Sequence, residues 1–578
     1  MAATSGYRIR GVTQLLLILF GQGIGYTGFI LTSLFRDNVL PEHWPAYAAC
    51  WFGLGVAIHI GARLAVPYAD PLILPIVCAL TGLGLALLHV IDLAYPHNRP
   101  MVTTQFVAVG VGVACLLGLV FWIKDPRRLK GYPFLLSLAS FVLLLLPLVP
   151  GLGVAEYGSR ICIRVGPASF QPAEIAKIVL AASFAAYLAD KREVLSLAGR
   201  RLFGVELPRM RDLGPIAVMW GMSLAIMVFE NDLGTSLLFF GLFVMMIYVA
   251  TGKSFWVVLG VVMFGAAAAA VVRFTSHVQR RIDFWLHPFD FPNTATQIIQ
   301  AQFGLSHGGL LGSGWGLGRP SLIIFSYSDM IAAAAGEEIG IVGLVGIIVL
   351  YALLVFRGLK ASLVAQDSFV KLFAAGLSFA FLLQTFAIIG GVTRLLPLTG
   401  LTTPFMSQGG SSMVANWILV AGLLIISNQA RRPQTLAVSE GTTDLQQEET
   451  QVLSSRVLAQ IGRGATHPVQ ALAAEQVRLS RDGEVLGEDW TGDENLTVVV
   501  GPVPVVVGPG PLGTVPTGPG TSPGPGDPPF EGPATQAFNP FADEDGPAGP
   551  VVPDGPVVPI VPIVPIEDDD DLFERGTE

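Results

Sequence analysis

Twelve apolar runs, each close to the length of a membrane-crossing helix, dominate the first 432 of 578 residues. A helix needs about 20 apolar residues to cross the hydrocarbon core of a bilayer, because backbone polar groups must pair internally where water cannot reach them. The runs fall at 12–34, 45–66, 72–94, 103–123, 132–149, 172–189, 213–229, 233–251, 254–273, 331–356, 369–391 and 411–428. They predict an all-α polytopic membrane protein of about 12 transmembrane helices. Composition agrees: 52% hydrophobic against 13% charged residues excludes a water-soluble surface. The first run is too long for a signal peptide and lacks a small-residue cleavage site, so it is expected to be retained.

The net charge of -9 divides sharply after Arg432. Residues 433–578 carry 5 Arg, no Lys and 24 acidic residues, or -19; residues 1–432 carry 29 basic and 19 acidic residues, or +10. The basic residues gather in alternate loops: Arg8 and Arg10; Lys124, Arg127, Arg128 and Lys130; Lys191, Arg192, Arg200, Arg201, Arg209 and Arg211; Lys253; Arg357, Lys360 and Lys371; Arg431 and Arg432. Basic loops are retained inside, so both termini are expected in the cytoplasm and the long 274–330 loop outside. Cys50, Cys78, Cys115 and Cys162 form neither a disulfide framework nor a metal-binding spacing.

Four segments on the outer side carry polar residues where lipid makes them costly. GSRICIRVGPASFQPAEIAKI (158–178) brings Arg160, Arg164, Glu174 and Lys177; the last two share a helical face, as a local ion pair or with a phosphate partner for the lysine. ENDLGTS (230–236) places Asp232 on the outer face, where it could also serve as a helix cap. The 274–330 loop leads into SYSDMIAAAAGEEIG, with Asp329 at a helix start and Glu337 and Glu338 inside an apolar span, where adjacent carboxylates must pair or line a polar cavity. TRLLPLTGLTTPFMSQGGSSM (393–413) reads as bent backbone at membrane depth, with Arg394, Gly409, Gly410, Ser411 and Ser412. Together the four predict one outward-facing polar site.

The strings FQPAEIAK, NDLGTS, SDMIAAAAGEEIGIVG and PLTGLTTPFMSQGGSSMVANW resemble, in order and spacing, the signatures of the shape, elongation, division and sporulation (SEDS) family, which includes RodA and FtsW. The N-terminal spans, with their DPLILPIVCALTGLGLALLH segment, resemble the RodA branch more closely. The resemblance implies a ten-helix catalytic core at 71–432, two added N-terminal helices in 1–70, and a cytoplasmic tail at 433–578. It implies a peptidoglycan glycosyltransferase of the bacterial cytoplasmic membrane. Such an enzyme polymerises lipid II, with glycan on polyprenyl pyrophosphate as donor and a class B penicillin-binding protein as partner. Asp329 matches the family's invariant aspartate, and Glu174 and Lys177 match its Glu-plus-Lys motif. Ala173, Glu230, Asn231, Gln408 and the SYSD string depart from the usual residues.

The implied chemistry makes Asp329 a general base on the acceptor hydroxyl; Asp283 and Asp290 are less well positioned, in a Pro- and Phe-rich stretch. Lys177, Arg160, Arg164 and Arg394 are candidates to stabilise the departing pyrophosphate; no cofactor is required by the sequence, and a divalent cation, Mg2+ or Mn2+, could assist. A lipid II flippase or secondary transporter is the alternative for a chain with this many spans, although no internal repeat is evident. The acidic, Pro- and Gly-rich tail is expected to be disordered, a spacer or a docking arm for cytoplasmic partners. Nothing in the chain points to nucleic acid.

Overall fold

The computed structural model describes residues 2–95, 100–156, 159–166, 168–196, 201–202, 205–206, 221, 233–274 and 276–432. The tail, Asp232 and all but one residue of the expected span at 213–229 lie outside the described residues. The elements, in chain order, are α1 (Ala2–Asp37), α2 (Trp44–Ala65), α3 (Ile73–Ala94), α4 (Met101–Trp122), α5 (Pro133–Leu145), β1 (Gly153–Glu156), β2 (Ser159–Val165), β3 (Ala168–Phe170) and α6 (Pro172–Ser196). After the short strands β4 (Arg201–Leu202) and β5 (Val205–Glu206) come α7 (Leu233–Thr251), α8 (Phe255–Phe274), α9 (Ser276–Leu286), α10 (Thr296–Gly308), α11 (Ile331–Val364), α12 (Ser368–Val392) and α13 (Gly410–Arg431).

Among the described residues nine helices, α1 to α4, α6, α7 and α11 to α13, are long and apolar enough to cross a membrane. Shorter apolar helices occupy the expected runs at 132–149 and 254–273. The all-α expectation omits the antiparallel sheet β1-β2-β3, which pairs Gly153 with Ile163 and Arg164 with Ser169. Its central strand draws on the β-branched residues Ile161, Ile163 and Val165, and Gly166 at φ 62° supplies the left-handed turn that leads to β3.

Helix α3 is buried on nearly every side. Small residues let α1 approach it backbone to backbone: a Cβ added at Gly25 would lie 2.3 Å from the Gly82 carbonyl carbon, and one at Gly21 would lie 3.0 Å from Ala79 Cβ. Without a hydrophobic drive between helices in lipid, such close packing is the main attraction available.

The opposite ends of these helices are chemically distinct. Asp70, fully buried just before α3, pairs with Arg357 near the end of α11 (Nε to Oδ2, 2.8 Å) and with Arg431 at the end of α13. Asp329 precedes the start of α11, and Gly409 and Gly410 begin α13, so the polar segments lie at the other end of the same helices. At about 1.5 Å per residue, the 22 residues of α13 match a bilayer core in length.

Candidate functional site

Pro172 opens α6, its fixed φ and missing N–H suiting a first turn. Glu174 and Lys177 follow on one face and turn into the bundle, 6% and 1% exposed. Lys177 Nζ donates to Glu174 Oε2 at 2.6 Å, to Gln384 Oε1 of α12 at 2.9 Å and to Asn416 Oδ1 of α13 at 3.2 Å. These acceptors match the three N–H donors of the ammonium. Lys177, expected either to pair locally or to meet a phosphate, is therefore the buried tie of three helices. The network continues outward: Gln384 Nε2 donates to the Thr402 carbonyl at 2.8 Å, Asn416 Nδ2 to Ser412 Oγ at 3.2 Å, and Thr402 Oγ1 to Ser412 Oγ at 2.9 Å.

Between α12 and α13 the chain is bent and non-helical, as expected, and it is buried in protein: Thr399, Leu401, Thr403, Phe405, Met406 and Ser407 are all shielded. Phe405 adopts φ 66°, a strained value for a bulky residue. Side chains from the helices satisfy the exposed backbone. Gln105 of α4 donates through Nε2 to the Ser407 carbonyl at 2.8 Å and accepts from Gly409 N at 3.1 Å, and Tyr351 OH of α11 donates to the Pro404 carbonyl. Ser412 is buried and Ser411 partly exposed at the start of α13.

This bent segment also grips the turn that carries Asp329. Ser407 Oγ donates to the Ser328 carbonyl at 2.5 Å, and Gln408 N donates to the Tyr327 carbonyl at 2.8 Å. Asp329 is partly buried, and its Oδ2 accepts from Gln297 Nε2 of α10 at 3.0 Å. Loss of hydration pushes its carboxyl up to about 6, against the opposing pull of the Gln297 donor, the neighbouring main-chain N–H groups and the Arg281 charge.

Glu337 and Glu338 serve backbone. Helix α11 breaks at Gly340 (φ 70°, ψ -177°), which frees main-chain groups that lipid could not satisfy. The Gly-rich loop after α10 fills the break: Ser313 N donates to the Glu337 carbonyl at 2.9 Å, Gly314 N to the Glu338 carbonyl at 3.0 Å, and Ile341 N to the Gly309 carbonyl at 3.0 Å. The two carboxylates add Arg319 N on Glu337 Oε1 at 2.8 Å and Gly316 N on Glu338 Oε2 at 2.6 Å. His307 Nδ1 lies 3.2 Å from Glu337 Oε1.

Three of the four polar segments thus form one hydrogen-bonded body; Asp232 of the other lies outside the described residues. Arg164 is exposed on β2, and the side chain of Arg160 lies outside the described residues. Arg394 Nη2 donates to the carbonyls of Trp285 (2.9 Å) and Leu286 (3.3 Å), capping α9, while Trp285 Nε1 returns a bond to the Arg394 carbonyl at 2.9 Å. Asp290 is exposed and Asp283 partly buried on α9. Among the described residues no three His, Cys, Asp or Glu side chains converge as a metal-ligand set. Gln105, Arg281, Gln297, Gln384 and Asn416 went unread in the sequence. For Gln105, Gln384 and Asn416 a signal was present, an amide side chain inside an apolar run.

The family model described as cell cycle protein, covering FtsW, RodA and SpoVE, matches residues 72–432. The chain belongs to this family. Within it, the peptidoglycan glycosyltransferase RodA of Mycobacterium tuberculosis is 41% identical over 439 residues, 75% of this chain and 94% of that protein. RodA of Mycobacterium leprae is 39% identical over 73% of this chain and 91% of its own length. A probable peptidoglycan glycosyltransferase FtsW of Geobacter metallireducens is 31% identical over 63% of this chain, so the likeness is nearer to RodA. In fold, the chain is similar to one from a solved peptidoglycan synthase complex that coordinates polymerization and crosslinking (TM-score 0.52, 24% identity, 63% of this chain and 99% of that one). The FtsW, RodA and SpoVE match begins just before α3, so α1 and the whole of α2 precede the family region.

Proposed function

We propose that this chain is a peptidoglycan glycosyltransferase that polymerises lipid II on the outer face of the cytoplasmic membrane, with Asp329 as its general base. One observation carries the reading: the partly buried Asp329, its carboxylate fixed by Gln297 just before a helix start, sits on the polar face that three motif segments build. Asp329 accepts the proton of the acceptor hydroxyl as that oxygen attacks the anomeric carbon of the donor glycan. The bond to polyprenyl pyrophosphate breaks with inversion, and the pyrophosphate leaves with the electron pair.

A positioned base supplies about 10²- to 10⁴-fold, so the leaving group needs its own stabilisation. Lys177 and Arg394 each donate to several protein acceptors, whereas Arg281 of α9 makes one long bond, to the Leu398 carbonyl at 3.5 Å, and acts on Asp329 through its charge; it and the exposed Arg164 are the better placed cations. The basic loops at the opposite end of the helices support an outward orientation of this face and cytoplasmic termini. We assign 1–70 to added helices, 71–432 to the catalytic core and 433–578 to a tail for cytoplasmic partners. A class B penicillin-binding protein is the proposed crosslinking partner.

The test is polymerisation of labelled lipid II by the full-length protein in membranes of the producing cells. Asp329→Ala should abolish the polymer at unchanged expression. Normal polymerisation by that variant would overturn the assignment, and lipid II translocation without polymer would favour the transport reading.

A further inference from the structure

Helix α10 runs beside the turn and first turns of α11, in the same direction. Its start meets Asp329 through Gln297, and its end meets Glu337 through His307. Between these points Gln300 Oε1 accepts from Ile324 N at 3.1 Å, and Gln302 Nε2 donates to the Val392 carbonyl at 2.8 Å. Four contacts along 11 residues hold this helix against three parts of the chain. Gln297 is therefore presented from a clamped helix and not from a wandering loop.

We propose that Gln297 is the positioning residue of Asp329: its amide Nε2, 3.0 Å from Oδ2, holds that carboxylate oxygen and so orients the group to receive the acceptor proton. The inference rests on the reading of Asp329 as the base. A carboxylate turns readily about its Cβ–Cγ bond, and one fixed oxygen removes that freedom before substrate arrives. The same bond favours the ionised form, which is the form a base requires. The other groups acting on the carboxylate are the main-chain N–H groups of Asp329 and Met330 and, as the charged one, Arg281 of α9. Glu337 and Glu338 belong to the far end of α10 and its loop.

Gln297→Leu removes a donor to the carboxylate, so Asp329 holds its proton to higher pH, and the acid limb of the polymerisation rate should move up by about one pH unit. Well above that limb the rate should recover to within about tenfold of the parent. A merely structural residue would lower the rate at every pH and leave the limb in place. Gln297→Asn, one methylene too short to reach, should give the same displacement and serves if the leucine variant fails to fold. Infrared titration of the protonated-carboxyl band that Asp329→Asn lacks reads the same shift without turnover.

A limb and a band that stay at the parent pH in both Gln297 variants would overturn the proposal. If Asp329→Ala still polymerises, the base assignment fails, and the infrared band alone then decides whether Gln297 holds the carboxylate. If Asp329→Ala is inactive and the Gln297 variants titrate like the parent, only the positioning proposal fails.

Discussion

Lys177 of α6 and Asn416 of α13 are 239 residues apart in the chain, and the lysine ammonium donates to the amide oxygen at 3.2 Å inside the bundle. The lysine also pairs with Glu174, so a charged pair sits where neither ion can reach water. Removing one partner leaves the other charge buried alone, which costs about 3–5 kcal/mol. Lys177→Met should therefore lower thermal stability in detergent steeply. Glu174→Leu combined with Lys177→Met should recover most of the loss, because no lone ion remains. A double variant as unstable as the sum of the single ones would show that the pair is not the stabilising unit.

Gly340 lies where the Gly-rich loop enters the break in α11. A Cβ there would lie 2.3 Å from Gly312 N, on a residue already at φ 70°, so both space and backbone forbid it. Gly340→Ala should abolish correctly folded protein, judged by monodisperse elution after extraction. Gly346, on the same helix with nothing within 4 Å of its added Cβ, is the control. Gly346→Ala should be neutral or slightly stabilising, since alanine is the better helix former. Equal behaviour of the two variants would contradict the role given to the break.

The close approach of α1 to α3 gives a parallel contrast. Gly25 faces the Gly82 backbone, whereas nothing lies within 4 Å of a Cβ added at Gly23. Gly25→Leu should push α1 off the bundle and expose it to limited proteolysis, and Gly23→Leu should leave the digestion pattern unchanged. Helix α1 also touches the Gly-rich loop, since a Cβ at Gly28 would lie 2.9 Å from the Trp315 ring. Displacing α1 should therefore lower polymerisation as well as stability.

How far the sequence foretells this arrangement depends on the kind of interaction involved. The apolar runs and the start of α6 at Pro172 follow from length and local chemistry, and the bent 393–409 segment follows from its Thr, Pro and Gly content. Asp329 stands out because it comes immediately before an apolar helix. The work of Glu337 and Glu338 is not legible in this way, since their partners are main-chain N–H groups that any residue could supply. Lys177 has the same difficulty in another form. Its spacing from Glu174 indicates a pair, but Gln384 and Asn416 join it only through the packing of α12 and α13 on α6. The β1-β2-β3 sheet is hidden by scale, because strands this short leave little periodicity beside runs of 20 apolar residues.

Asp329 also connects stability to pH. Burial raises its carboxyl from an ordinary 3.8 to about 6, so the folded protein binds this proton more tightly than the unfolded chain does. The stabilising contribution of the bound proton is complete below the unfolded value and is lost as pH rises through about 6. At pH 7.5 the ionised aspartate therefore costs stability that a neutral side chain of the same shape does not. Asp329→Asn should be inactive and yet melt several degrees higher than the parent at pH 7.5, with the gain closing as pH falls from 6 towards 4. Melting curves of both proteins across that range check the sign. A variant that melts lower at pH 7.5, or a gain that persists unchanged at pH 4, would show that the carboxylate is not held against its own hydration.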